Sequence, residues 1–324
     1  MNRLSGLKVL VIGDTILDQY VFVIPKGRAI KDPILSVRYI RDEMYAGGIL
    51  AGANHVSSFV DSVTLVTLVG DTNSKLEFIK GSLGANINLK TFAKKGSNTI
   101  VKKRFVDALR NSKLFKIEYI EDLQLSADVE QEVVEYLHEE VPKYDVVIVG
   151  DFGHGFITDR IRRVLEEKSR FLAVNAQSNS SNMGYNYFTL YKKMDFFTGN
   201  EEEFRLPVSM RFEDIREVID KVRSTCGFKK FLLTRSKHGS IFVADDEIFE
   251  GKGFITRVTD AVGAGDAVFA ITSLVTYTGA DNNLVAFLSN CVGGIAVSTQ
   301  GNKDSVTKEK LLDFVNKVYE IKPE

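Results

Sequence analysis

The chain has 324 residues, 44% of them hydrophobic and 26% charged, with 42 Lys and Arg against 43 Asp and Glu. That length suits one large α/β domain with an appendage, or two domains, and the apolar share can build a core without metals or disulfides. A net charge of -1 with no dense basic patch excludes a nucleic-acid surface, and no apolar run reaches the roughly 18 residues of a membrane span.

The chain enters a β-branched run at 8–12 almost at once, which leaves no room for a signal peptide. Cys226 and Cys291 lie far apart without zinc spacing, which fits a reducing cytoplasm. After the first strand come Asp14 and Asp18, carboxylates that read either as acceptors for sugar hydroxyls or as solvated loop acids. Residues 19–23 and 34–42 alternate polar with aromatic or branched side chains and predict antiparallel strands. Gly47 and Gly48, followed by Asn54, precede a helix predicted over 51–60. The glycines would let backbone amides reach ligand oxygens, or would serve tight helix packing. A buried strand is predicted at 63–69. A second alternating pair, 99–107 and 114–120, has Asn111-Ser112-Lys113 as its hairpin tip.

From there strands and helices alternate: helix 128–139, strand 146–149, helix 158–168, strand 171–174, strand 196–198, helix 212–225 and strand 231–234. This texture predicts an α/β fold with a mainly parallel central sheet and helices on both faces. Ligands in such sheets bind beyond the carboxyl ends of the strands. There lie Asp14, Asp18, Asp71, Asp151, Asn175, Gln177, Asn200, Glu203 and Thr234. Asn200 and Glu203 read as a pair for the water shell of Mg²⁺, or as an ordinary acidic helix start. The segment 234–239, with Thr234 and Gly239, reads as a nucleotide phosphate site or as a hairpin turn. The small-residue helix pattern at 281–300, which holds Asn290, could lie against adenine or pack on another helix.

The most informative stretch is 260–266. A strand-like run, 253–258, leads in and an apolar helical run, 267–277, leads out, so Gly263, Ala264 and Gly265 sit at a helix start. Unpaired amides there hold anions, and glycine allows close approach. Asp266 would then be the base that deprotonates a hydroxyl beside a phosphate, as phosphoryl transfer requires. The alternative is a glycine turn with a dipole-compensating Asp. Asp151-Phe152-Gly153 echoes a protein-kinase triplet, but the glycine loop and His-Arg-Asp motif that should accompany it are missing. No G-x-x-x-x-G-K-[ST] or G-x-G-x-x-G occurs, and the four histidines have no metal spacing.

Taken together, Asp260–Asp266, Asn200–Glu203, Gly47-Gly48 with Asn54, and Gly13-Asp14 to Asp18 resemble the motifs of ribokinase/PfkB-type carbohydrate kinases, in order, from Leu7 to the C-terminal helices. Gly13-Asp14-Thr15-Ile16-Leu17-Asp18, Gly27-Arg28-Ala29-Ile30 and Asp151-Phe152-Gly153-His154-Gly155 are most similar to the kinase domain of bacterial heptose-7-phosphate kinases. The resemblance implies a Rossmann-like ribokinase fold, with a core of 1–17, 43–97 and 121–324 and a β-lid of 18–42 and 98–120 that serves a homodimer. It implies ATP and Mg²⁺, a sugar or sugar-phosphate acceptor, and Asp266 as base over the Gly263-Ala264-Gly265 anion hole. Asp14, Asp18, Gly47, Gly48 and Asn54 would hold the sugar. Asn200, Thr234, Gly239, Gly263, Gly265 and Asn290 would hold the nucleotide, and Asn200 with Glu203 the metal through water. Ala261 and Val262 replace the usual threonines, and Asn175-Ala176-Gln177 stands where the nearer relatives carry Asp-Pro-Lys. The latter departure puts the heptose phosphate in question and keeps open another acceptor, such as a pentose or nucleoside, or a non-catalytic binder of the same fold. The nucleotidyltransferase domain that accompanies some relatives is expected to be absent from these 324 residues.

Overall fold

The computed structural model describes residues 3–121, 123–182, 184–254 and 258–320. In chain order the strands are β1 (Lys8–Arg28), β2 (Leu35–Gly47), β3 (Ser62–Gly70), β4 (Ile87–Lys94), β5 (Ile100–Asp107), β6 (Ser112–Tyr119), β7 (Val146–Asp151), β8 (Leu172–Ala176), β9 (Phe196–Asn200), β10 (Lys230–Thr234), β11 (Ser240–Ala244) and β12 (Glu247–Gly251). The helices are α1 (Gly48–Ser57), α2 (Leu76–Ser82), α3 (Ala127–Glu140), α4 (Asp159–Lys168), α5 (Glu201–Arg205), α6 (Ile215–Cys226), α7 (Ala264–Tyr277), α8 (Asn282–Ala296) and α9 (Lys308–Glu320).

The main sheet runs β12-β11-β10-β9-β8-β7-β1-β3-β4. It is parallel from β10 to β4, and β11 and β12 close one end as antiparallel strands. Its strands are apolar on both faces because each face carries helices. Val9 and Val11 join the core under α1, α7 and α8, while Leu10 and Ile12 join the core under α3, α4 and α6. The same alternation repeats in Val146 and Ile148 against Val147 and Val149. Side chains of a strand point alternately up and down, so one strand feeds both cores. In the second core Phe197, Phe188 and Phe204 form a three-ring cluster, with Phe197 stacked on Phe188 at 4.6 Å and on Phe204 at 5.2 Å. Each such ring contributes about 2–3 kcal/mol by burial.

The two expected strands 8–12 and 19–23 are one continuous strand. The Gly13-Asp14-Thr15 step reads as a loop, yet its backbone stays extended. Gly13 is needed there because a Cβ would lie 2.1 Å from Gly150 O, and Thr15 Oγ1 bonds Thr67 Oγ1 at 2.7 Å. Beyond this step β1 leaves the main sheet. Residues 16–28 pair antiparallel with β2 and parallel with β5, and β5 pairs with β6. This second sheet is tied back to the core. Tyr20 Oη donates to Asp260 Oδ2 at 2.7 Å, Lys113 Nζ reaches Asp260 Oδ1 at 2.5 Å, and Lys116 Nζ donates to Ser180 Oγ at 2.9 Å. Helix α1 begins at Gly48, three residues earlier than expected; Gly48 itself has φ +52°. Strand β4 and helix α2 carry too mixed a pattern for the sequence to have announced them. The strand-like run expected at 253–258 falls partly on residues 255–257, outside the described residues. Among the described residues no helix is long and apolar enough to cross a membrane.

Candidate active site

The carboxyl ends of β8, β9 and β10 open onto the start of α7, and between them lies a cleft of about 230 Å³. Asn175 enters it from the end of β8, Gln177 and Ser178 from the loop that follows, Asn200 and Thr234 from the last residues of β9 and β10, and Glu203 from α5. Ala261, Gly263, Gly265 and Asp266 close it from the other side. This is where an open α/β sheet is expected to bind ligand, because strand-to-helix turns converge there.

Gly263 is the N-cap of α7, with φ +82° and no side-chain cap. A Cβ on it would lie 1.8 Å from Asn302 Oδ1, so only glycine lets the chain turn here. The first turn of a helix leaves N–H groups without intrahelical acceptors and carries partial positive charge. Gly263 and Gly265 line the cleft, so that charge faces the ligand space, while Ala264 stands outside the lining with its N–H donating to Ala261 O at 3.4 Å. Asp266 stands in the same turn. Its Oδ1 accepts from Gln177 Nε2 at 2.6 Å. Burial pushes its carboxyl up to about 7, and the negative charge of Asp18 adds to the push, against Gln177 and the Lys102 ammonium. A carboxyl that titrates near neutrality is suited to accept a proton and return it.

Asn200 caps α5 in a reciprocal box. Its Oδ1 accepts from Glu203 N at 3.0 Å, and Glu203 Oε2 accepts from Asn200 N at 2.8 Å. The other oxygen, Glu203 Oε1, accepts from Ser178 N at 3.1 Å. Even so, burial pushes this carboxyl up to about 7. Among the described residues no group of three His, Cys, Asp or Glu side chains forms a metal cage. The pair keeps spare oxygen lone pairs at the rim of the cleft, which fits an ion held mainly by phosphates and water and not a direct protein cage.

The remaining expected residues divide. Asp18 lies beside the glycine pair, where a Cβ on Gly47 would come 2.3 Å from its Oδ2. It pairs with Arg104 and accepts from Asn302 Nδ2 at 3.3 Å. Asp14 is buried against the 151–156 turn, accepting from His154 N at 3.4 Å and Phe156 N at 3.3 Å. Burial and neighbouring Asp151 push its carboxyl up to about 7. It faces a separate cavity of about 20 Å³ with Thr15, Lys94 and His154, room for one water. Gly48 opens α1 next to Thr15. Asn54 does not join the cluster: its amide donates to Ser82 O at 2.9 Å and accepts from Gly84 N at 3.0 Å, bracing α1 against the next turn. Gly239 and Asn290 also stand outside the cleft lining. Gly239 (φ +86°) is pressed against Gly251, and Asn290 Nδ2 donates to Ser240 Oγ at 2.8 Å. Sequence reasoning missed Asn302 and Lys102, and gave Gln177 no contact with Asp266. Asn302 follows Gly301 in a turn that carries no motif, and Lys102 sits mid-strand where a charge reads as solvated.

The family model described as "pfkB family carbohydrate kinase" matches residues 7–309. The chain is 25% identical over 322 residues to the bifunctional protein HldE of Trichlorobacter lovleyi, spanning 97% of this chain and 64% of that protein's length. Phosphofructokinase-2 of Escherichia coli, solved with substrates and products, superposes with a TM-score of 0.76 at 12% identity, over 97% of this chain and 99% of that one. The ribokinase of Arabidopsis thaliana, solved with ribose and ATP, superposes at 0.70 and 13%, over 96% and 99%. At those identities the two structures establish the fold, which is the ribokinase-like α/β fold expected from the sequence. With the family model covering nearly the whole chain, this protein belongs to the pfkB family of carbohydrate kinases.

Proposed function

We propose that the chain transfers the γ-phosphoryl group of ATP to a hydroxyl of a sugar phosphate of the heptose 7-phosphate kind. The observation that carries this reading is Asp266. It sits on the wall of the cleft in the first turn of a 14-residue helix, with its carboxyl pushed up to about 7. Asp266 takes the proton of the attacking hydroxyl, and the amides of Gly263, Ala264 and Gly265 hold the equatorial oxygens of the phosphoryl in flight. Asp18, Gly47 and Gly48 orient the sugar, with Asp14 supporting the turn behind it. Thr234 and Asn200 border the nucleotide, while Gly239 and Asn290 shape the β11–β12 end of its site. Asn200 and Glu203 meet Mg²⁺ through its water shell, and the bound ion neutralises phosphate charge. The heptose phosphate is suggested by the HldE relatives, of which the chain spans less than two thirds. The second sheet covers the cleft to exclude water, and a homodimer forms through it, in the cytoplasm.

One observation favours a second reading, an unphosphorylated sugar or nucleoside as acceptor. The cations acting on Asp18 are already paired, Arg104 with Asp18 itself and Lys102 with Glu118 at 3.7 Å. An ADP-release assay with MgATP over ribose, adenosine, fructose 6-phosphate and a heptose 7-phosphate separates the two readings. Turnover with the heptose phosphate alone supports the first. Turnover with ribose or adenosine alone supports the second. No turnover with any acceptor, despite ligand-dependent thermal shifts, supports a binder. Asp266→Asn is expected to cut kcat by about 10²-fold or more, the range for a positioned proton acceptor. Full turnover in that variant would remove Asp266 from the chemistry.

A further inference from the structure

We propose that Gln177 is the positioning residue for Asp266: its side-chain amide clamps one carboxylate oxygen and leaves Oδ2 to take the hydroxyl proton. The inference rests on Asp266 being the base. Gln177 Nε2 has two hydrogens, and both are placed. One goes to Asp266 Oδ1 at 2.6 Å and the other to Asn175 Oδ1 at 2.8 Å. Asn175 is buried and in turn donates Nδ2 to Thr198 O at 2.8 Å on β9. The amide therefore cannot turn over without losing both acceptors. Behind it the backbone is held as well, since Gln177 N donates to Asp151 O at 2.9 Å at the end of β7. The relay runs from the sheet, through two neutral amides, across the cleft to the first turn of α7.

A carboxylate in a first helical turn otherwise swings freely or folds back on the helix amides. Attack on a phosphoryl group needs the accepting oxygen within hydrogen-bond reach of the hydroxyl, about 2.6–3.2 Å. A hydrogen bond from a neutral amide to an ionised carboxylate is stronger than one between neutral groups, and beyond that energy the clamp fixes the direction of the free oxygen. The charged groups acting on Asp266 are Asp18 from β1, which raises its carboxyl, and Lys102 from β5, which lowers it; Glu203 from α5 is itself raised by Asp266. Gln177 acts by donation without charge, which sets it apart from all three.

The test uses Gln177→Met, which keeps length and removes the donor, and Gln177→Lys, which keeps a donor and adds charge. Asp266 is followed by carboxyl ¹³C NMR in aspartate-labelled protein, with its resonance identified by its loss in Asp266→Asn; kcat and KM are measured with MgATP and whichever acceptor of the assay above turns over. Gln177→Met is expected to lower kcat about tenfold or more with KM for ATP within about twofold, and to raise the Asp266 titration. Gln177→Lys is expected to restore most of kcat and to move the acid limb of kcat/KM and the Asp266 titration down together, by about one unit. The proposal is overturned if Gln177→Met leaves kcat and the titration unchanged, or if both variants lose kcat equally while the titration stays put. Turnover retained in Asp266→Asn would instead overturn the base assignment itself. If Gln177→Met does not fold, the Gln177→Lys titration decides alone.

Discussion

A carboxylate that must accept a proton near neutral pH has to be kept from ionising fully at pH 4, and the fold does this by withholding water. Asp266, Glu203 and Asp14 are all pushed up to about 7, each with burial as the first cause. The sign of the stability effect follows. A carboxyl whose folded value lies above its unfolded value, about 4, favours the native state fully below that value and loses the advantage as pH rises through 7. Asp266→Asn should therefore melt higher than the wild type at pH 8, by about 2 °C or more, with the gap narrowing as pH falls and closing only near pH 4. Calorimetry on the two proteins side by side checks this, and a gap independent of pH would mean that Asp266 ionises normally. The comparison is made between variants because His55 and His154, held down by burial to about 4 and about 3, act in the opposite direction in the whole protein. At this scale the sequence was legible where a residue type has few other uses, as with Asp266 after three small residues. It was illegible where the same type has many uses. Asn54 and Asn302 look alike on paper, but one braces a helix and the other contacts Asp18.

The start of α7 is an element whose geometry and chemistry rest on different glycines. Gly263 is required by the backbone, with its left-handed φ and Asn302 1.8 Å from an added Cβ. Gly265 is not, since an added Cβ there meets nothing within 4 Å. Gly263→Ala should thus lower both stability, by about 1–2 kcal/mol or more for a left-handed alanine, and activity. Gly265→Ala should keep the melting temperature and, if the proposed anion hole is right, lose activity, because its methyl adds bulk to the cleft wall. Thermal melts beside ADP release separate the two, and a Gly265→Ala enzyme with full activity would exclude that amide from the anion hole. The loop–helix boundary was readable in sequence because small residues ran into an apolar helical stretch. The length of β1 was not, because Gly13-Asp14-Thr15 has the composition of a loop, and the close approach of Gly150 that keeps it extended is a contact 137 residues away.

At the scale of the molecule, the second sheet carries exposed apolar side chains at Phe115, Ile117 and Tyr119, which alternate on one face of β6, with Phe105 stacked on Phe115 at 4.4 Å. An uncovered face of this kind is the surface that the proposed homodimer would use. Ile117→Lys, at an exposed position, should leave folding intact and shift the protein from twice the 36.2 kDa chain mass to one, as read by light scattering after size exclusion. A wild type that runs as a monomer would remove the dimer. Asp260 shows how this sheet is joined to the rest. It receives Tyr20 from β1, Lys113 from β6 and Gly301 N at 3.2 Å, so the loop before α7 carries the second sheet. By itself the sequence determined the alternation of strands and helices, the helix start at 263–265 and its carboxylate, because local periodicity and glycine placement encode them. Only the tertiary structure decided that Gln177 holds Asp266, that Asp260 anchors the second sheet, and that Asn54 bonds Ser82 and Gly84. Each of these depends on which distant segments the parallel crossovers bring to the same end of the sheet, and no local pattern records that.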